Sequence, residues 1–299
     1  MKTLYFECNM GAAGDMLMAA LLELHPSPAD FIKRLNEIGI PNTIVSAETS
    51  VKCGIKGTHV SVKINGKEEL TAAVHDFMHS KNLEHPHHEH THSHNDSHSY
   101  DHGHSHGDGH SHDDEHTHEH GHSHGNGHSH SHNGLGEIEH IVSHLNISDK
   151  VKANVVAVYK LIAHAESHAH GVPVTEIHFH EVGNLDAIAD IVGVCMLMEE
   201  LAPEKILASP IHVGSGMVRC AHGILPVPAP ATAHILQGVP VYGGSVRSEL
   251  CTPTGAAILK HFATEFGPMS VLKIEKCGYG MGKKDFEQAN CVRAFLGDA

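Results

Sequence analysis

Two histidines stand two residues apart in the stretch TEIHFHEVG, residues 175–183, and a glutamate follows the second histidine. Alternate side chains of an extended segment point to the same face, so the imidazoles of His178 and His180 share one face. Two imidazoles with carboxylates nearby are a common way for a protein to hold a divalent metal. We therefore predict that His178 and His180 are metal ligands or position a substrate, with Glu181 as a catalytic carboxylate beside them.

The segment that follows Gly183 has the pattern of a buried helix with two carboxylates on one face. Asp186 and Asp190 are four residues apart, which is the spacing of neighbours on a helix surface. A carboxylate on an otherwise apolar helix is costly unless it is paired or binds a metal. We predict that Asp186 and Asp190 are catalytic carboxylates close to the metal. The alternative is that they cap and solvate the start of the helix, and that the histidines are ordinary surface residues.

A second group of candidate ligands precedes a proline-rich run in GSGMVRCAHGILPVPAPAT, residues 214–232. Cys220 and His222 are two residues apart, and Arg219 is next to them. Sulfur together with imidazole suits nickel, copper or zinc, so we predict Cys220 and His222 as further metal ligands. The alternative is a loop with a buried cysteine and a lone histidine.

Two other segments have the composition of an anion site. In NMGAAGDM, Gly11 and Gly14 allow close approach of a ligand to the backbone, and the following helix offers free N–H groups. Asp15 is placed there as a candidate catalytic carboxylate. In SELCTPTGAA, the hydroxyls of Thr252 and Thr254 stand at a helix start, where they would hold a phosphate. A tight turn in the first segment and threonine caps in the second are the simpler interpretations.

The elements that must position these residues predict an α+β fold. Residues 1–84 read as a small N-terminal α/β unit with a strand, a glycine turn, helices and two more strands. Residues 85–134 are a low-complexity, histidine-rich insertion that we expect to be disordered. Residues 135–299 read as a larger mixed α+β core domain. The strands and helices do not alternate regularly, which favours α+β over a parallel doubly wound sheet.

The composition of the histidine-rich tract itself indicates a function, because the tract holds 20 of the chain's 35 histidines. Most imidazoles are neutral at neutral pH and are therefore available as metal ligands. We predict that the tract stores or delivers metal ions. The alternative is an unspecific low-complexity spacer.

Charge and cysteine usage exclude several classes of protein. A formal net charge of −15 argues against binding to nucleic acid or to an anionic membrane surface. No stretch approaches the ~20 apolar residues that span a bilayer, and the N-terminus lacks the pattern of a signal peptide. The seven cysteines are scattered without a C-x-x-C pair, which argues against iron–sulfur clusters and zinc ribbons. We expect a cytoplasmic protein.

Several of these stretches together resemble one family. GAAGDM, HFHEVGNLDAIADIVG, HGILPVPAPAT, ELCTPTGAA and GYGMGKKD follow one another in the order found in the LarC-type nickel insertion proteins. The resemblance implies a nickel chelatase that inserts nickel into pyridinium-3,5-bisthiocarboxylic acid mononucleotide. Its product would be the nickel-pincer nucleotide cofactor of lactate racemase. The resemblance also implies consumption of CTP with a divalent cation, magnesium or manganese.

The sequence departs from that family after RAFLGDA, because family members usually continue into a C-terminal domain that carries the CTP site. We therefore expect a C-terminal CTP-binding counterpart as a partner, and we assign no CTP-binding residue in this chain. Arg219 or a helix N-terminus would anchor the phosphate of the substrate. The alternative function is a nickel or zinc storage protein or metallochaperone without catalysis. Homo-oligomerisation stays open.

Overall fold

The structure, a computed structural model, describes residues 1–68, 134–177, 179, 183–220 and 222–299. Its α-helices in these ranges are α1 (Gly14–Leu24), α2 (Pro28–Glu37), α3 (Leu135–His144), α4 (Asp149–His170), α5 (Leu185–Leu201), α6 (Pro230–Ile235) and α7 (Pro253–Phe262). Its strands are β1 (Lys2–Glu7), β2 (Thr43–Lys52), β3 (Ile55–Ile64), β4 (Lys67–Glu68), β5 (Lys205–Ala208), β6 (Ile211–His212), β7 (Met217–Cys220), β8 (Gly223–Pro226), β9 (Val241–Tyr242), β10 (Glu265–Phe266), β11 (Lys273–Met281) and β12 (Cys291–Asp298).

One mixed, eight-stranded sheet organises the fold. Its order is β10, β5, β1, β12, β11, β3 and β2, and β4 pairs with β3. β1 lies between β5, to which it is parallel, and β12, to which it is antiparallel. β3 is parallel to β11 and antiparallel to β2. Two smaller sheets pair β6 with β9 and β7 with β8. This architecture confirms the predicted α+β class.

Helix α1 lies directly on the sheet because two glycines of β11 leave room for its backbone. A Cβ atom added to Gly278 would lie 2.0 Å from the carbonyl oxygen of Ala20, and one added to Gly280 would lie 1.8 Å from that of Met16. Any side chain at either position would push α1 away from β11. The close approach therefore fixes where the first turn of α1 lies.

Helix α5 packs against α1 and is buried on almost all sides, as its apolar sequence predicts. Gly193 of α5 faces Met18 of α1, since a Cβ atom there would be 2.3 Å from the Met18 sulfur. Helix α4 covers α5 with an apolar stripe that includes the fully buried Tyr159. One hydrophobic core joins these helices to the sheet.

Residues on both sides of the histidine-rich tract share this sheet and this core. β1 to β4 belong to the predicted N-terminal unit, whereas β5, β10, β11 and β12 belong to the predicted larger domain. The boundaries 84/85 and 134/135 frame a tract whose residues 85–133 lie outside the described ranges. The stretch ELTAAVHDFMHSKNL, residues 69–83, predicts a further helix and also lies outside the described ranges. In the described part of the chain, no helix is long and apolar enough to cross a membrane.

Candidate functional site

A cavity of about 360 Å³ opens where the first turns of α1, α5 and α7 meet. The last turn of α4, the β7–β8 hairpin and the segment after β11 complete its wall. Nine of the residues predicted from the sequence line it: Gly14, Asp15, Asp186, Asp190, Arg219, Cys220, His222, Thr252 and Thr254. Segments far apart in sequence thus converge on one concave site, which is the usual form of a ligand site.

The buried side of the cavity is acidic. Asp190 is only 7% exposed, and Asp186, one helical turn earlier on α5, and Asp15 of α1 lie on the same wall. Burial raises the pKa of Asp190 well above its ordinary value, and the charges of Asp186 and Asp15 raise it further. Burial also raises the pKa of Asp15, against the opposing effects of Lys283 and His59.

Gly14 allows the Asp190 side chain to reach the N-terminus of α1. A Cβ atom on Gly14 would lie 2.6 Å from Asp190 Oδ2 and 2.8 Å from Asp190 Cβ. The backbone N–H of Asp15 donates a hydrogen bond to the Asp190 carboxyl. Asp190 thus accepts a hydrogen bond from one N–H group in the first turn of a helix whose N-cap, Ala13, makes no side-chain hydrogen bond.

Two lysines after β11 supply positive charge to the same cavity. Lys283 contacts Glu68 at 2.8 Å. Burial lowers the pKa of Lys283, but the Glu68 hydrogen bond and nearby carboxylates outweigh burial, so the pKa is raised. Lys284 donates a hydrogen bond to Ser248 Oγ at 3.0 Å, and burial lowers its pKa.

The helix start at α7 is tied to the α1 loop. The N–H of Ala12 donates to the carbonyl of Leu250, and the N–H of Thr252 donates to the carbonyl of Ala12, both at 3.0 Å. The Thr252 hydroxyl caps α7 by accepting from the Gly255 N–H at 3.2 Å. Thr254 is buried in the cavity wall. The N-termini of α1 and α7 therefore face one cavity, and both favour negative charge there.

Gly11 contributes to this junction and not to the cavity wall. Its φ angle is +83°, and a Cβ atom would lie 2.0 Å from the carbonyl oxygen of Leu250. Gly11 therefore permits the close approach of two loops, as the tight-turn interpretation anticipates.

The sulfur of Cys220 and the imidazole of His222 lie at the rim of the cavity, which is more exposed than its acidic side. Cys220 is the last residue of β7, and His222 lies in the turn that leads to β8. The ring centroids of His222 and His170 are 4.6 Å apart. His170 Nε2 lies 3.4 Å from Glu166 Oε2 on the same helix. Burial and His170 lower the pKa of His222, so its imidazole is neutral at neutral pH, the form that binds metals.

His178, His180 and Glu181 lie outside the described residues, so their predicted roles stay predictions. Among the residues that the structure does describe, no three His, Cys, Asp or Glu side chains form a group that could hold one metal ion. The described residues of the rim therefore supply some, but not all, of the ligands that one metal ion needs.

Among the residues of the cavity wall that reasoning from the sequence missed are four with ionisable side chains: Glu166, His170, Lys283 and Lys284. The lysines end the GYGMGKK stretch, whose glycines are consistent with a flexible backbone near a ligand but do not point to the lysines. His170 and Glu166 lie on α4, where a helical stripe alone does not tell which polar residues face a ligand.

Comparison with known proteins identifies the family of the chain. The chain matches the nickel insertion protein family over residues 4–299. The pyridinium-3,5-bisthiocarboxylic acid mononucleotide nickel insertion protein of Clostridium kluyveri is 38% identical over 299 residues, which is 100% of this chain and 62% of that protein. The protein of the same name from Clostridium acetobutylicum is 40% identical over 299 residues, which is 100% of this chain and 64% of that protein. The chain thus spans less than two thirds of these relatives. No solved structure is significantly similar to it.

Proposed function

The chain belongs to the nickel insertion protein family, and on that premise we propose that it inserts nickel into pyridinium-3,5-bisthiocarboxylic acid mononucleotide. The observation that carries the proposal is the single cavity, which combines metal-binding side chains at its rim with anion-binding groups in its wall. Both reactants can therefore occupy one site, where holding them in the right geometry accelerates their reaction.

Nickel enters at the rim in this proposal. Cys220 and His222 bind the ion, with His170 beside them and His178 and His180 as the further predicted ligands. Neutral imidazoles with few thiolates hold nickel less firmly than a closed four-thiolate site would. The ion can then pass to the two thiocarboxylates of the substrate, which are softer ligands.

The phosphate of the mononucleotide binds near the start of α7. The free N–H groups of the first turn favour an anion, and Lys284 is a partly buried ammonium on the same wall. Arg219, on the hairpin, can bind a phosphate through two parallel N–H donors. These groups orient the pyridinium ring toward the rim.

The test is a direct insertion assay. The protein is incubated with nickel, the mononucleotide, CTP and magnesium, with and without the C-terminal domain of a relative, and metallated nucleotide is measured by mass spectrometry. We expect His222→Ala to lower its formation about 10-fold or more, because a ligand of the ion is lost. The matched control is His140→Ala on α3, which is exposed and outside the cavity wall. Absence of metallated nucleotide in both reactions would reject the proposal.

CTP and its divalent cation belong to the proposal only as requirements of the whole reaction. No residue of this chain is assigned to them, and we propose that a C-terminal counterpart supplies their site. We propose a cytoplasmic setting, because the seven cysteines are scattered along the sequence without a C-x-x-C pair.

A second role is favoured by composition. Twenty histidines within residues 85–134 provide ligands for many ions, so we propose that the tract stores nickel or delivers it.

A further inference from the structure

Glu166 and His170 form a pair on the last turn of α4, next to the rim of the cavity. Glu166 Oε2 lies 3.4 Å from His170 Nε2, and the two residues are four apart, which places them on one face of the helix. Both side chains line the cavity, and that of Glu166 is only 17% exposed. A carboxylate can only accept, so its contact favours the tautomer of His170 that carries its proton on Nε2.

The helix that carries this pair is firmly held. Ile162 and Ala165 belong to its buried stripe and are fully buried in the core. The helix ends at Gly171, which has a φ angle of +68° and donates its N–H to the Ser167 carbonyl at 2.9 Å. A left-handed glycine of this kind closes the last turn of a helix. The backbone that presents the carboxylate and the imidazole is therefore fixed at both ends of the pair.

His222 has less support from its own element. It lies in the turn between β7 and β8, which form a two-stranded sheet of their own, and its side chain is exposed. A side chain on a surface turn is less constrained than one on a packed helix. The His170 ring lies against it, with the two ring centroids 4.6 Å apart and the planes inclined by 46°. The helix thus restricts where the imidazole on the turn can lie.

We propose that Glu166 acts through His170 to hold the imidazole of His222 in the orientation that binds nickel at the rim. The carboxylate fixes the His170 ring, and that ring limits the positions open to His222. Glu166 and His170 are therefore positioning residues, whereas Cys220 and His222 contact the ion. This inference rests on the proposed function and adds the residues that prepare its nickel site. Partners that orient a metal-binding imidazole are typically worth about 10–100-fold in metal affinity.

Nickel at the rim can be observed separately from nickel in the histidine-rich tract. Cys220 offers a thiolate, which gives a charge-transfer band with nickel in the near ultraviolet, whereas residues 85–134 contain no cysteine. The full-length chain is titrated with nickel at free concentrations set by a chelator, and the band gives the dissociation constant of the rim site. Cys220→Ser should abolish the band. A wild-type chain without the band, or a Cys220→Ser variant that keeps it, would reject the proposed rim site and this inference with it.

A double-mutant cycle then tests the inference itself. We expect Glu166→Ala and His170→Ala each to raise the dissociation constant about tenfold, the lower end of the usual range, because both act through another ring. The double variant should bind no more weakly than His170→Ala alone. Glu166→Gln keeps an acceptor oxygen and should retain most of the affinity. The matched control is Glu139→Ala, which removes a glutamate of α3 that lies 3.7 Å from Lys160 and outside the cavity wall, and it should leave the affinity unchanged.

The inference fails if Glu166→Ala binds nickel at the rim as tightly as the wild-type chain. It fails equally if the losses in the double variant add, because Glu166 would then affect nickel independently of His170. Circular dichroism of each variant separates a lost orientation from a lost helix. Should Glu166→Ala unfold, Glu166→Met offers a side chain of similar length with good helix propensity and no carboxylate, and the same expectations apply to it.

Discussion

Gly14 is the residue that lets a carboxylate approach the N-terminus of α1. In Gly14→Ala the new Cβ would lie 2.8 Å from Asp190 Cβ, which the buried helix α5 holds in place. Alanine favours a helix over glycine by up to about 1 kcal/mol, but overpacking typically costs about 1–3 kcal/mol. We expect a net destabilisation of about 1–2 kcal/mol, measured by urea unfolding.

The matched control for that variant is Gly136→Ala on α3, where an added Cβ meets nothing within 4 Å. We expect Gly136→Ala to be neutral or to stabilise by about 0.4–1 kcal/mol. If both variants unfold alike, the contact between Gly14 and Asp190 is not what restricts this position.

At the scale of residues, spacing predicted only part of the cavity. Asp186 and Asp190 could be found because four-residue spacing on an apolar helix is a local signal. Lys283 and Lys284 could not, because their position depends on β11 pairing with β12 and β3, which brings the end of β11 to α1.

Among the elements, α7 offers a clear prediction because its start has a single side-chain cap. Thr252→Ala removes the hydroxyl that accepts from the Gly255 N–H, so we expect a loss of about 1 kcal/mol in unfolding free energy. Thr252→Ser keeps the hydroxyl and should retain most of the stability. Urea unfolding followed by circular dichroism measures both. Equal loss in the two variants would point to the threonine methyl group and not to the cap.

Periodicity predicted the long elements well and the short ones poorly. The apolar residues of α4 and α5 predict helices, and the stretches SVLKIEKCGYGMGKK and NCVRAFLG predict a closing pair of strands, which β11 and β12 confirm. The β7–β8 hairpin was not predicted, since Met217 and Ile224 are exposed and the segment buries only part of its apolar residues. A strand that lines a ligand cavity lacks the regular alternation of a strand that covers a core.

For the whole molecule, pairings between distant segments are what the sequence leaves undetermined. β1 pairs with β12 almost 300 residues away, through a register that runs from Lys2 with Asp298 to Glu7 with Arg293. Local patterns contain no information on such partners, so the N-terminal unit and the larger domain read as separate pieces. In the structure they contribute to one sheet.

This shared sheet predicts the result of deleting residues 85–134. The pairs β1–β5, β1–β12 and β3–β11 form between segments on the two sides of the tract, and one core is built from residues on both sides. The deletion shortens the connection between β4 and α3 about fourfold, so it should change the unfolding free energy by only about 1 kcal/mol, because each halving of loop length changes the loop-closure free energy by about 0.6 kcal/mol. The deletion removes 20 of 35 histidines, so the number of nickel ions bound in equilibrium dialysis should fall strongly. Single-turnover insertion should persist, since the described residues that line the cavity all lie outside the tract. A chain that loses its cooperative unfolding transition on deletion would show that the tract supports the sheet. A chain that keeps its nickel stoichiometry would show that the ions bind elsewhere.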